Sequence, residues 1–238
     1  MSSKSYRPDI DGLRAIAVIS VMFFHARLPG FGGGFVGVDM FFVISGFLIS
    51  SIILWDISEK QFSLLDFYER RIRRILPVLL FIMLVTSILA WFVLLPNDFR
   101  RFGKYLIASL FMIPNVAAWK VSGNYFSPSV ETNPLLHLWS LGVEEQFYIF
   151  FPIVLFFSVR YMREKLCWLL LILTLLLSSS MAIWFKENHS GFGFYWLPTR
   201  VWEFLLGVAI AYFIHNQKCL IISSLGGKLL QGLSIVST

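Results

Sequence analysis

Cysteine and charge are what this chain of 238 residues has least of. Its two cysteines, Cys167 and Cys219, stand alone without metal-ligand spacing, so neither a disulfide framework nor a metal site is indicated. Charged residues make up only 14% of the chain. Also missing are a glycine-rich phosphate loop, a nucleophilic serine or cysteine motif, an internal repeat and a low-complexity tract. These absences set aside P-loop chemistry, hydrolases built on a local nucleophile motif, repeat scaffolds and zinc proteins.

What fills the space is apolar. The chain is 57% hydrophobic with a mean hydropathy of +0.73, and several runs approach the ~20 apolar residues that span a bilayer. It therefore reads as an integral membrane protein. The net charge of +6 comes from Lys and Arg clustered in short segments beside apolar runs, as the positive-inside rule expects, and nucleic acid is not implied. Lys4 and Arg7 ahead of the first run resemble a secretory leader, but Arg14 and His25 lie inside that run and no small-residue cleavage site follows, so it is a retained span.

The pattern predicts an all-α, polytopic transmembrane bundle of about seven spans plus one re-entrant or interfacial helix. Span one covers residues 12–28, with Asp11 placed to cap it, and span two covers 35–55, where Ser45 and Gly46 offer a small face. Between them Gly30, Gly32, Gly33 and Gly34 permit a tight turn. The polar and then strongly basic stretch 56–74 reads as a cytoplasmic loop, which makes the amino terminus cytoplasmic. Span three follows at 75–95. The apolar piece 105–119 contains Pro114 and Asn115 and is short for a crossing; making it re-entrant or interfacial keeps the basic loop 160–165 on the cytoplasmic side. An outer loop at 120–134 leads to a span from Leu135, a Leu-rich lipid-facing span at 166–185, a loop in which His189 is given no role, and a span at 197–215. In that last span Arg200 and Glu203 can pair on one face, while Gly207 and Ala211 allow close packing. Residues 219–238 are weakly apolar.

Ionisable residues inside apolar helices are costly and mark function. Arg14 and His25 are eleven residues apart, hence about 20° apart in azimuth and roughly 16 Å apart along one helix. The helix returning from the glycine-rich turn brings Asp39 to nearly the depth of His25, where a carboxylate can fix the tautomer and raise the basicity of an imidazole. A histidine bonded to a carbonyl and an aspartate at a helix start fit the same spacing. In the basic stretch, Arg70, Arg71 and Arg74 make a guanidinium cluster that suits phosphate, and equally suits flanking charge or contact with anionic membrane lipids. Glu144 and Glu145 lie about two turns in from the outer end of their span and point about 100° apart, so periodicity alone admits either one into a shared cavity, or into an ion pair with an arginine.

Taken in order, YRPDIDGLRAIAVISVMFFH, GFVGVDMFFVISGFLI, FYERRIRRILP, LHLWSLGVEEQFYIFFP and RVWEFLLG resemble the acyltransferase 3 family of membrane acyltransferases, which includes the O-acetyltransferases of bacterial surface polysaccharides. The resemblance covers most of positions 6–210. That family has about ten spans, often followed by an extracytoplasmic SGNH-type domain, so residues 1–238 resemble the membrane domain's front part, apparently truncated at the carboxyl end. The resemblance implies transfer of an acetyl group from cytosolic acetyl-CoA to an acceptor across the bacterial inner membrane. The acceptor is a surface polysaccharide or lipid-linked glycan, with lipopolysaccharide O-antigen favoured. It carries over Arg14, His25, Arg71, Arg74 and Glu144 as functional positions: arginines for the CoA phosphates and thioester arm, and His25 as base or transient acyl carrier. Asp39 or Glu144 would balance the imidazolium. A transporter or flippase with a buried charge pathway, and an inactive fragment, are the other readings.

Overall fold

A backbone in hydrocarbon must satisfy its own hydrogen bonds, and helices do so within each segment. Accordingly the computed structural model of this chain is all-helical among its described residues. It describes the backbone of residues 7–122, 133–188 and 190–236 and the side chains of 7–120, 133–188 and 191–217. Lys4, His189, most of the expected outer loop at 120–134, and the side chain of Cys219 lie outside the described residues.

In chain order the helices are α1 (Pro8–His25), α2 (Val36–Ser58), α3 (Leu64–Val93), α4 (Pro96–Leu110), α5 (Pro114–Ser122), α6 (Leu138–Tyr161), α7 (Glu164–Asn188), α8 (Ser190–Tyr195) and α9 (Leu197–Val236). Among the described residues, five helical stretches are long and apolar enough to cross a membrane: Val36–Ser58, Leu64–Val93, Leu138–Tyr161, Glu164–Asn188 and Gly191–Gln217. The first expected span is not among them, since α1 has 18 residues and carries Asp9, Asp11 and Arg14. Nor does a separate seventh segment appear, because α9 runs unbroken from Leu197 to Val236. α1 also starts earlier than expected: Pro8 opens it and Asp11 sits in its first turn rather than capping it.

The chain divides into two compact units, residues 1–61 with 204–238, and residues 62–203. In the first, α1 and α2 form a hairpin whose turn relies on one left-handed glycine, Gly30 at φ +88°. Gly34 and Gly37 serve a different end. A Cβ on either would strike the carbonyl oxygen of Ser20 or Ala17, so the start of α2 rests directly on the α1 backbone. The small faces expected on α2 and α9 meet: Gly46 abuts the Phe204 carbonyl, Gly207 abuts that of Val43, and Phe42 stacks on Phe204 with centroids 4.6 Å apart.

In the second unit, the basic stretch expected as a loop is helix. α3 begins at Leu64, where the Ser63 side chain accepts from the Asp66 N–H at 3.3 Å, so the arginines stand within its first turns. α3 runs antiparallel to α6: Phe62 stacks on Phe156, Tyr68 donates to the Ile149 carbonyl at 2.6 Å, and Arg71 reaches Glu145. The short apolar piece at 105–119 is broken rather than continuous. α4 ends before Met112, which has φ +56°, and α5 starts at Pro114. α6 supports that break. Gly142 leaves room for Pro114, Gln146 Nε2 donates to Asn115 Oδ1 at 2.8 Å and to the Met112 carbonyl at 3.3 Å, and Asn115 Nδ2 donates to the Tyr195 carbonyl at 3.1 Å. On α4, burial pushes the Tyr105 phenol up to about 12. α7 carries exposed leucines along its first four turns, consistent with lipid contact, and is tied in through Ser178, whose hydroxyl donates to the Pro198 carbonyl at 2.6 Å and accepts from the Trp202 N–H.

Candidate functional site

The expected residues fall into both units, and each group is described on its own. In the first unit, one helix carries Arg14 and His25, as the eleven-residue spacing requires. Arg14 is half-buried, its guanidinium carbon 5.0 Å from the centroid of the Phe41 ring, a cation–π contact that holds it against α2. His25 closes α1 and is exposed, its ring edge-on to Phe24 at 5.2 Å. The Met22, Phe23 and Phe24 carbonyls of that last turn accept from the Ala26, Leu28 and Arg27 N–H groups, so the chain closes the helix end itself. Asp39 stands in the first turn of α2, whose leading N–H groups, those of Val36, Gly37 and Val38, donate to the Gly33, Gly34 and Phe35 carbonyls. The hairpin therefore sets an imidazole and a carboxylate at facing helix ends, on either side of one turn.

The second unit gathers the other residues more tightly. Arg71 lies between α3 and α6, with Nη2 on Glu145 Oε1 at 2.8 Å and its guanidinium carbon 3.4 Å from the centroid of the Tyr148 ring. Tyr148 in turn donates its hydroxyl to Glu144 Oε1 in a short hydrogen bond. Glu144 is 7% exposed and Tyr148 4%. Both glutamates thus enter one cluster, because a tyrosine four residues after the first and three after the second bridges their azimuths. Glu145 takes the ion pair with an arginine; Glu144 takes the phenol. Arg74, expected beside Arg71, is exposed, as is Arg73, which pairs with Glu69 at 2.6 Å.

One expected distance changes. The sequence reading sets the arginines at the cytosolic mouth and the glutamates near the outer end, whereas the Arg71–Glu145 contact puts them at one level. The reason is the early start of α3, which draws the basic motif into the helix pair. Further along the unit, Arg200 and Glu203 form the expected pair at 2.6 Å, with Glu203 1% exposed; Arg200 Nε also donates to the Phe194 carbonyl, and its guanidinium lies 4.7 Å from that ring's centroid.

These positions fall in the order of a known pattern, and a family model described as an acyltransferase domain (acyltransferase 3) matches residues 7–238. This chain belongs to the acyltransferase 3 family. Among curated acyltransferase relatives, the O-acetyltransferase OatA of Staphylococcus aureus is 36% identical over 217 residues, covering 89% of this chain and 35% of that protein. A putative O-acetyltransferase of the same species is 36% identical over 213 residues, covering 87% of this chain and 35% of its own length. The chain spans about a third of the length of the curated relatives it matches. No solved structure matches it.

For an acyltransferase that takes a CoA thioester, the residues present offer a partial fit. Arg71 Nε is buried with no hydrogen-bond partner, a donor left over after Glu145 and the Tyr148 ring have taken the rest of the guanidinium, and exposed Arg74 one turn on adds a charge that phosphate can reach. Sequence reasoning missed Tyr148 and Gln146, although both stand inside the motif that supplied Glu144. For Tyr148 the signal was its four- and three-residue spacing from Glu144 and Glu145; Gln146, adjacent to them in sequence, carried no such signal. Among the described residues no group of three or more His, Cys, Asp or Glu side chains is placed to hold a metal ion.

Proposed function

We propose that this chain is the membrane part of an O-acetyltransferase that passes an acetyl group from cytosolic acetyl-CoA to a hydroxyl of a cell-surface glycan. The observation that carries the reading is the joining, in one acyltransferase 3 chain, of the basic motif to the double-glutamate motif through Arg71 and Glu145. The name shared by the relatives, O-acetyltransferase, supports the group moved and the bond formed. Lipopolysaccharide O-antigen is the acceptor that the sequence reading favours.

In this reading Arg71 and Arg74 bind the phosphates of CoA and Arg14 guides the thioester arm. His25 takes the proton of the acceptor hydroxyl as the oxygen attacks the thioester carbonyl carbon, or attacks that carbon itself and carries the acetyl group; in either course the carbon–sulfur bond breaks and CoA leaves as the thiol with the proton. Asp39 or Glu144 balances the imidazolium. The chain lies in a bacterial inner membrane with its amino terminus cytoplasmic. α1 joins the five long helical stretches as a further crossing, and α4 and α5 together form the re-entrant or interfacial piece. That arrangement puts the start of α3, where Phe62 meets Phe156, on the same, cytoplasmic side as the basic segment at 160–165.

The test is to supply labelled acetyl-CoA to membranes containing the full chain and to follow ester-linked label on glycan. His25→Ala is expected to abolish labelling while the protein still inserts. Retained labelling removes His25 from the chemistry, and uptake or efflux without ester formation favours transport instead.

A further inference from the structure

Tyr148 belongs to no expected site, yet it touches both halves of the cluster. Its ring face receives the Arg71 guanidinium at 3.4 Å from the centroid, well inside the ~6 Å reach of a cation–π contact, and its hydroxyl is given to Glu144. Glu145 holds Arg71 from the other side at 2.8 Å. The guanidinium is thereby fixed in plane by the ring and in rotation by the carboxylate, while its Nε–H stays uncommitted. The residue is 4% exposed and Glu144 7%, so the hydroxyl's bond forms away from water, where it is stronger than at a surface.

We propose that Tyr148 is a positioning residue that ties the donor-binding arginine to the carboxylate Glu144, its ring face setting Arg71 and its hydroxyl setting Glu144. This rests on the acetyl-transfer reading above. One side chain thus performs two jobs that chemistry can separate, since phenylalanine keeps the face and loses the hydroxyl, whereas leucine loses both. Arg71 bears on the donor and Glu144 on the transfer step, so the two losses fall on different kinetic constants. Nothing in plain packing produces that separation.

The experiment compares wild type, Tyr148→Phe and Tyr148→Leu of the full chain in detergent or membranes, with kcat and the KM for acetyl-CoA measured on folded, monodisperse protein. For Tyr148→Phe we expect kcat to fall by about tenfold or more, the scale of a lost hydrogen bond to a charged group, with KM within about twofold of wild type. For Tyr148→Leu we expect the same fall in kcat and a KM raised several-fold, on the order of the ~2–30-fold of a cation–π contact. Wild-type constants in Tyr148→Phe, or equal changes of KM in both variants, overturn the proposal and leave the acetyl-transfer reading intact. A wild-type chain that transfers no acetyl group overturns that reading instead. A double-mutant cycle of Tyr148→Phe with Glu144→Gln, read by thermal unfolding, then still decides the linkage: coupling between the two substitutions supports it, and simple additivity refutes it.

Discussion

Arg71 and Glu145 are separated by 74 positions and meet at 2.8 Å, with side chains 21% and 13% exposed. A pair so placed returns little over an apolar pair of equal volume, but taking away one partner strands the other charge in a poor solvent. Glu145→Ala is therefore expected to cost about 3 kcal/mol of unfolding free energy, the low end for a buried pair because Arg71 keeps some contact with water. Denaturant unfolding in detergent measures it, and Arg71→Met in the Glu145→Ala background should recover part of the loss. Legibility at this scale followed distance along the chain. Arg200 and Glu203 were readable as a pair because three residues on a helix settle their geometry. Arg71 with Glu145 was not, since no local rule aligns α3 with α6.

At the scale of elements, the join between α4 and α5 is the informative place. Two short helices meeting at a left-handed Met112 leave a carbonyl without its helical partner, and the Gln146 amide of α6 reaches across to that carbonyl and to Asn115. Gln146→Leu removes both bonds in an apolar setting and is expected to cost about 2 kcal/mol or more. Asn115→Val added to it is expected to cost more again, because it also takes the donor from the buried Tyr195 carbonyl. Protease susceptibility near residue 112, compared across the single and double variants, reads the same order. The sequence showed that this segment is short for a crossing and carries a proline, which composition can show. It did not show the two-helix geometry, which depends on a side chain of a helix still to come. In the same way the basic stretch reads as a loop by charge alone, whereas Ser63 and the apolar residues interleaved among its arginines start a helix there.

For the molecule as a whole, the all-helical architecture and the long apolar stretches were written in composition, and the division into units was not. Residues 62–203 make a unit from one continuous length of chain, while the other joins residues 1–61 to 204–238. Gly207→Leu drives a side chain into the Val43 carbonyl, so it is expected to loosen α2 and α9 while leaving α3 to α8 protected. Limited proteolysis with site mapping checks it: cleavage should rise within 1–61 and stay at the wild-type level within 62–203.

The glycine contacts between α2 and α9 also fix an order of events. A ribosome completes Gly46 early and must finish every residue from 62 to 203 before Phe204 exists to cover it. Throughout that interval the Gly46 face of α2 waits without the helix that covers it, dependent on lipid or an insertase for shielding. A slow codon or a stalled translocon in that window should therefore raise degradation of the growing chain, and expression level should respond more to translation speed across those residues than to the strength of any contact inside them.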